Sequence, residues 1–153
     1  MTNISRRTFL TGAFLLACGL STRRTFADSS DPVIVDAPCG TLRGELVDGN
    51  HVFRGVPYAE PPVGDLRFRP ASKLKSWTGE RDATRFAPSA MQPGNGHSED
   101  CLDWYSISPL GKGPFPVYVW IHGGGFTGGS PSDSLYEHST LPQEGVISIT
   151  VAH

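Results

Sequence analysis

Pro116-Val117-Tyr118-Val119-Trp120-Ile121-His122-Gly123-Gly124-Gly125-Phe126 is the stretch on which the reading of this chain turns. A run rich in β-branched and aromatic residues leads straight into three consecutive glycines. Such a pattern predicts a buried strand that ends in a turn where the backbone must come close to something. Glycine has no Cβ, so its φ can be positive at little steric cost and its amide can face a cavity. Two amides aimed at one point form a fixed pocket of partial positive charge. An oxyanion that develops during acyl transfer needs such a pocket, and losing one donor typically lowers the rate by about 10²–10³.

Other readings compete for the same glycines. Residues 123–128 fit G-x-G-x-x-G after a strand, the dinucleotide fingerprint, which requires a helix at the glycines and an acid after the next strand. Here Gly129-Ser130-Pro131-Ser132-Asp133-Ser134 follows, which is loop chemistry, and the next strand-like run, residues 146–151, ends in Ala152-His153. A phosphate-binding P-loop would want lysine where Gly129 stands. A glycine-rich turn without chemistry is the plainest reading, and the rest of the chain argues against it.

The 153 residues suffice for one domain with a core, and 18 Gly and 13 Pro predict many turns and short strands. Residues 1–27 hold Arg6, Arg7, Arg23 and Arg24 and no acid, leaving the remainder distinctly acidic, without a footprint for nucleic acid. Ser5-Arg6-Arg7-Thr8-Phe9-Leu10 is a twin-arginine pattern ahead of an apolar run at residues 12–20 that is too short to span a bilayer. Residues 1–27 are therefore expected to be an export signal, cleaved after Ala27, and the mature protein periplasmic or extracellular without a membrane span. Leu15-Leu16-Ala17-Cys18 offers a second option, lipidation at Cys18. Cys39 and Cys101 remain after cleavage; an exported protein permits them to pair, and buried free thiols are the expected state.

Past the signal, residues 33–35 and 41–46 read as short strands, and Asp48-Gly49-Asn50 supplies a hairpin turn into residues 51–54. The prolines of residues 55–64 hold an extended loop. Trp77 and Phe86 read as lids over a core edge, and residues 97–102 open a strand-like run towards Ile107 and Pro109.

Taken together these residues resemble a known family. Residues 55–68, Gly-Val-Pro-Tyr-Ala-Glu-Pro-Pro-Val-Gly-Asp-Leu-Arg-Phe, resemble the "GIPYA-PP-G-LRF" segment of type-B carboxylesterases, the group that includes cholinesterases. Trp77-Thr78-Gly79 with residues 83–88, Ser98-Glu99-Asp100-Cys101-Leu102, residues 117–126 and residues 146–151 look like four further blocks of that family, in the same order. The resemblance implies the N-terminal portion of an α/β-hydrolase: a small antiparallel hairpin region leading into a mixed, mostly parallel, helix-poor sheet. In that sheet Val117–Ile121 is expected to lie centrally, buried on both faces, with residues 146–151 next to it or one removed. Residues 134–141 are the best short helix candidate.

It also implies a serine carboxylesterase that hydrolyses small-molecule or lipid esters through an acyl-enzyme, without a cofactor or metal. HGGG-type loops supply oxyanion donors in lipases and esterases of this fold. By motif position Gly124 and Gly125 would be those donors, Gly123 would shape the turn, and His122 would orient the loop by hydrogen bonding. No G-x-S-x-G elbow occurs here; Gly129-Ser130-Pro131-Ser132 is the nearest approach. The domain, residues 28–153, is thus expected to stop before the nucleophile, with acid and base also lacking and no turnover by this chain alone.

Residues 103–106, Asp-Trp-Tyr-Ser, stand where the family pattern wants Tyr-Leu-Asn-Val, and Ala90 replaces the usual cysteine partner of Cys101. Glu99 and Asp100 are candidates to pair with Arg54 or Arg67. Phe126 and Trp120 would line an acyl pocket or pack in the core, while His51, His97, His138 and His153 default to surface or loop roles. A non-catalytic esterase-like interaction module is the alternative reading.

Overall fold

A computed structural model of the protein describes residues 32–137 and 140–153. The expected export signal, with Ala27 and Cys18, and His138 lie outside them. Seven strands form one sheet: β1 (Pro32–Ala37), β2 (Gly40–Val47), β3 (Asn50–Pro57), β4 (Glu80–Asp82), β5 (Asp103–Pro109), β6 (Val117–Ile121) and β7 (Ile147–Val151). Their order is β1-β2-β3-β5-β7-β6, with β4 beside β2. Among the described residues α1 (Ser134–Glu137) is the α-helix, inside the expected 134–141, and two short 3₁₀ turns accompany it.

Local chemistry explains the first half. Asp48 and Gly49 both have positive φ, 48° and 71°, as a type I′ turn requires, and Val47 pairs with Asn50 across it. β3 bulges between Phe53 and Val56 and then resumes its pairing with β5 at Trp104 and Asp103. Gly55 sits in the bulge with φ +65°, and a Cβ there would lie 2.8 Å from the Arg85 carbonyl oxygen. Period-2 alternation puts apolar residues on both faces. Leu42, Phe53, Val56 and Ala83 form one buried cluster, with Trp77 and Trp104 against it. Val52, Tyr105 and Ile107 form the other under Phe86, whose ring centroid is 5.0 Å from that of Tyr105. Trp77 and Phe86 thus cover the core as expected.

Arg54 ties these layers together. Its Nη1 donates to Glu45 Oε2 at 2.6 Å and to the Thr84 carbonyl at 3.3 Å, and its guanidinium lies over the Phe86 ring at 5.6 Å. Both partners are largely shielded, so the pair counts for more than a surface ion pair. Lysine cannot reproduce the planar fork. Arg54→Lys is therefore expected to lower unfolding free energy by about 1–2 kcal/mol, read as a reduced urea midpoint at unchanged m-value; an unchanged midpoint would contradict this. Arg67 takes the partner foreseen for it, Glu99.

Two expectations need correction. Among the described residues β6 is not central: it ends the strand order, pairs only with β7, and all five of its residues are 40–65% exposed. No described segment pairs with its outer edge, and Tyr136 beside Trp120 covers it only in part. Parallel pairing also does not dominate. β1–β2, β2–β3, β3–β5 and β5–β7 are antiparallel; β6–β7 and the short β2–β4 are parallel. Parallel neighbours need a long crossover, and the stretch with α1, between β6 and β7, provides one. β7 does adjoin β6, as expected, and Cys39 and Cys101 are free thiols.

Candidate active site

β6 and β7 run parallel in register, Val117 opposite Ile147 and Ile121 opposite Val151. Their carboxyl ends therefore coincide, and His122 and Ala152-His153 leave the sheet side by side. In open α/β sheets ligands bind outside the carboxyl ends of strands, and there a cavity of about 510 Å³ opens. Residues 121–129 and His153 form one wall and residues 90–92 face them.

His122 is buried at the root of the loop. Its Nδ1 lies 2.9 Å from the Gly123 carbonyl oxygen, which can only accept, so Nδ1 carries the proton. The ring stacks on that of His153 at 4.7 Å, and His153 Nε2 donates to the His122 carbonyl at 3.2 Å. His122 thus has the orienting contact expected of it, and His153, exposed and beyond the end of β7 as a surface or loop residue should be, lines the same cavity.

The glycines then make a tight turn. The Gly124 carbonyl accepts from the Thr127 amide at 3.1 Å and the Thr127 hydroxyl at 3.0 Å. Gly125 and Phe126 between them both have φ of 61°, a type I′ arrangement. Gly124, at φ +150°, admits no side chain, since a Cβ would overlap the Gly128 carbonyl. Gly124 and Gly125, the expected oxyanion donors, both line the cavity, and neither amide donates to another group among the described residues. A chain that folds back this closely leaves two amide donors unused beside an open space, and an anionic oxygen is the natural complement of such a space.

Other candidates separate. Phe126 is fully exposed on the cavity wall, so it is not core. Trp120 lies elsewhere, in a groove of about 260 Å³ with Tyr118 and Tyr136. Glu99, Asp100, His51 and His97 do not line the cavity. No group of three or more His, Cys, Asp or Glu side chains among the described residues is placed to hold a metal.

Two residues gained importance that their sequence context did not signal. Gln92 reaches the loop from the opposite wall, contacting Gly129 across 37 positions of sequence. Asp103 opens β5 with both carboxylate oxygens buried and without a partner. Burial, then the nearby Asp100 carboxylate, push its pKa up to about 7 against an opposing pull from Arg81. Its backbone carbonyl accepts from the Ala152 amide at 2.9 Å, and Tyr58 donates to the Ala152 carbonyl at 2.7 Å, so both brace the segment that carries His153.

Comparison with known proteins agrees with this geometry. The model of the carboxylesterase family matches residues 31–153. The chain is 42% identical to the fumonisin B1 esterase of Sphingopyxis macrogoltabida over 136 residues, covering 81% of this chain and 25% of that protein. It is 47% identical to the phenmedipham hydrolase of Pseudarthrobacter oxydans over 126 residues, covering 73% of this chain and 26% of that one. A solved carboxylesterase of Geobacillus stearothermophilus superposes with a TM-score of 0.75 at 40% identity, over 78% of this chain and 26% of its own. The chain thus spans about a quarter of the length of these relatives. Its sheet is that of the α/β-hydrolase carboxylesterases. A match that runs from the first described strand to His153, with the glycine turn at the carboxyl end of β6, leaves one conclusion: the chain belongs to the carboxylesterase family.

Proposed function

We propose that this chain supplies the oxyanion-binding portion of an exported serine carboxylesterase that cleaves small-molecule or lipid esters. In this reading a serine attacks the ester carbonyl, and the amides of Gly124 and Gly125 hold the oxygen as it becomes negative. A third donor follows the nucleophile of a G-x-S-x-G elbow. Residues 1–153 contain no such elbow, so in this reading nucleophile, acid and base come from residues outside them. This chain alone then presents half a pocket and turns over no ester. The observation that carries the reading is the pair of unused amides on the cavity wall. Export through residues 1–27, with cleavage after Ala27 or lipidation at Cys18, belongs to the same proposal and is checked by the mass of the exported product.

The decisive experiment is a chimera. Residues 32–153 replace the matching segment of the full-length Sphingopyxis esterase, and hydrolysis of p-nitrophenyl acetate is followed. The chimera is expected to be active and the 153-residue chain by itself inactive and unlabelled by a serine-directed fluorophosphonate. A folded but inactive chimera would overturn the oxyanion assignment; turnover and labelling of the short chain would overturn the missing nucleophile.

One observation favours a second reading, a non-catalytic interaction module: the apolar strand β6 stands exposed on both faces. A soluble monomer that melts cooperatively, paired with an inactive chimera, would shift the balance to that reading.

A further inference from the structure

The glycine turn is fastened by a side chain from the other wall of the cavity. Gln92 Oε1 accepts from the Gly129 amide at 3.0 Å, while Gln92 Nε2 donates to the Gly129 carbonyl at 2.9 Å. One primary amide therefore satisfies both backbone groups of one residue, as a neighbouring strand would. The same Nε2 also donates to the Ala90 carbonyl at 3.1 Å, anchoring the clamp in its own segment.

Gly129 is where such a hold has leverage. A Cβ on it would lie 2.5 Å from the Gly123 carbonyl oxygen and 2.6 Å from His122 Nδ1, so it packs directly under the root of the turn. A Cβ on Gly124 would in turn overlap the carbonyl oxygen of Gly128, one residue earlier, so that residue lies close against Gly124. This close packing is the route by which a shift of Gly129 would reach Gly123 and Gly124.

We propose that Gln92 is the positioning residue of the glycine turn, setting where the Gly124 and Gly125 amides point. Its importance for catalysis rests on the esterase reading above; the clamp itself does not. Only a group with a donor and an acceptor side by side meets both ends of Gly129. Glutamine does, and so does a protonated carboxylic acid. A carboxylate has acceptors alone and would oppose the Gly129 carbonyl.

The test follows from that contrast. In the ¹⁵N-labelled 153-residue chain, amide exchange at Gly129 and the amide resonances of Gly124 and Gly125 are compared in the wild type, Gln92→Met and Gln92→Glu. Sheet amides of Tyr105 and Ile149 report that each variant is folded. Gln92→Met, close in shape and lacking both polar groups, is expected to speed Gly129 exchange about tenfold, as for one lost net hydrogen bond, and to move the Gly124 and Gly125 resonances. Gln92→Glu is expected to approach the wild type as pH falls below about 4.3, where the carboxyl takes up its proton, and to match Gln92→Met near pH 7. His122 and His153 are the titratable side chains sharing the cavity among the described residues, so every comparison is made with wild type at the same pH.

Unchanged Gly129 exchange in Gln92→Met, or a Gln92→Glu response that ignores pH, overturns the clamp. Faster Gly129 exchange with unmoved Gly124 and Gly125 resonances overturns its positioning role. In the active chimera Gln92→Met should lower kcat about tenfold with KM little changed. Should the unsubstituted chimera be inactive, the esterase reading fails, while the exchange data still decide the clamp.

Discussion

Gly124→Ala in the active chimera is expected to lower kcat by about 10²–10³, the effect of losing an oxyanion donor. The substitution removes no amide and no hydrogen-bonding group. It adds a single methyl group, which would overlap the Gly128 carbonyl and approach the Gly128 carbonyl carbon to 2.5 Å. Both are backbone atoms, so no rotamer change relieves the overlap and the turn must open. At φ +150° alanine is disfavoured as well. Gly125→Ala is the matched control. Its Cβ would meet nothing within 4 Å, so only the left-handed φ of +61° penalises it, by about 1–2 kcal/mol. The ordering expected is therefore a large loss for Gly124→Ala and a much smaller one for Gly125→Ala. Equal activities for the two variants would show that closure of the turn on Gly128 does not set the donor geometry.

The second large effect is on stability and runs through Asp103. Its carboxyl, ordinarily titrating near 3.8, is pushed up to about 7 by burial and by Asp100. In the unfolded chain the same group releases its proton near the ordinary value. As pH rises from about 4 to about 7 the unfolded state loses a proton that the folded state keeps, so stability falls through that window and levels off above it. The displacement corresponds to roughly 4 kcal/mol as an upper bound. Asp82 and Glu60 do not offset this. Hydrogen bonding to Thr84 and to the Lys75 amide, respectively, holds them below their usual range, so their contributions are complete above it and fade only in stronger acid. Asp103→Asn, which cannot ionise, is expected to abolish the decline and to raise Tm near pH 7.5 by on the order of 10 °C. Calorimetry from pH 4.5 to 7.5 is the check, and parallel Tm profiles for the wild type and Asp103→Asn would refute it.

These two residues differ in how visible they were beforehand. Gly124 was legible because three glycines after a β-branched run announce a turn that tolerates no side chain. The hairpin was legible for a similar reason: Asp48-Gly49 carries its own preference for positive φ, whatever surrounds it. Asp103 was not. Its position could be seen to depart from the family pattern, but an aspartate in a strand-like run becomes a buried acid only when Pro57 pairs with it and the 152–153 segment docks beside it. The stacking of His153 on His122 was not legible either, because it depends on β6 and β7 ending in register. The expected burial of Val117–Ile121 failed for a related reason. An apolar run declares that it can be covered, and says nothing about which segment covers it.

The sequence by itself determined the turn at residues 48–49, the glycine loop after β6, the scarcity of helix and the order of the family's motifs. Each is written in neighbouring residues, through backbone freedom, proline restriction or side-chain period. Only the tertiary structure decided that β6 stands at the edge of the described sheet, that Gln92 clasps Gly129 and that the Asp103 carboxyl is buried without a hydrogen-bond partner. Those outcomes turn on which distant segments meet. Pairing and burial free energies are shared between segments far apart in the chain, so neither segment alone records them.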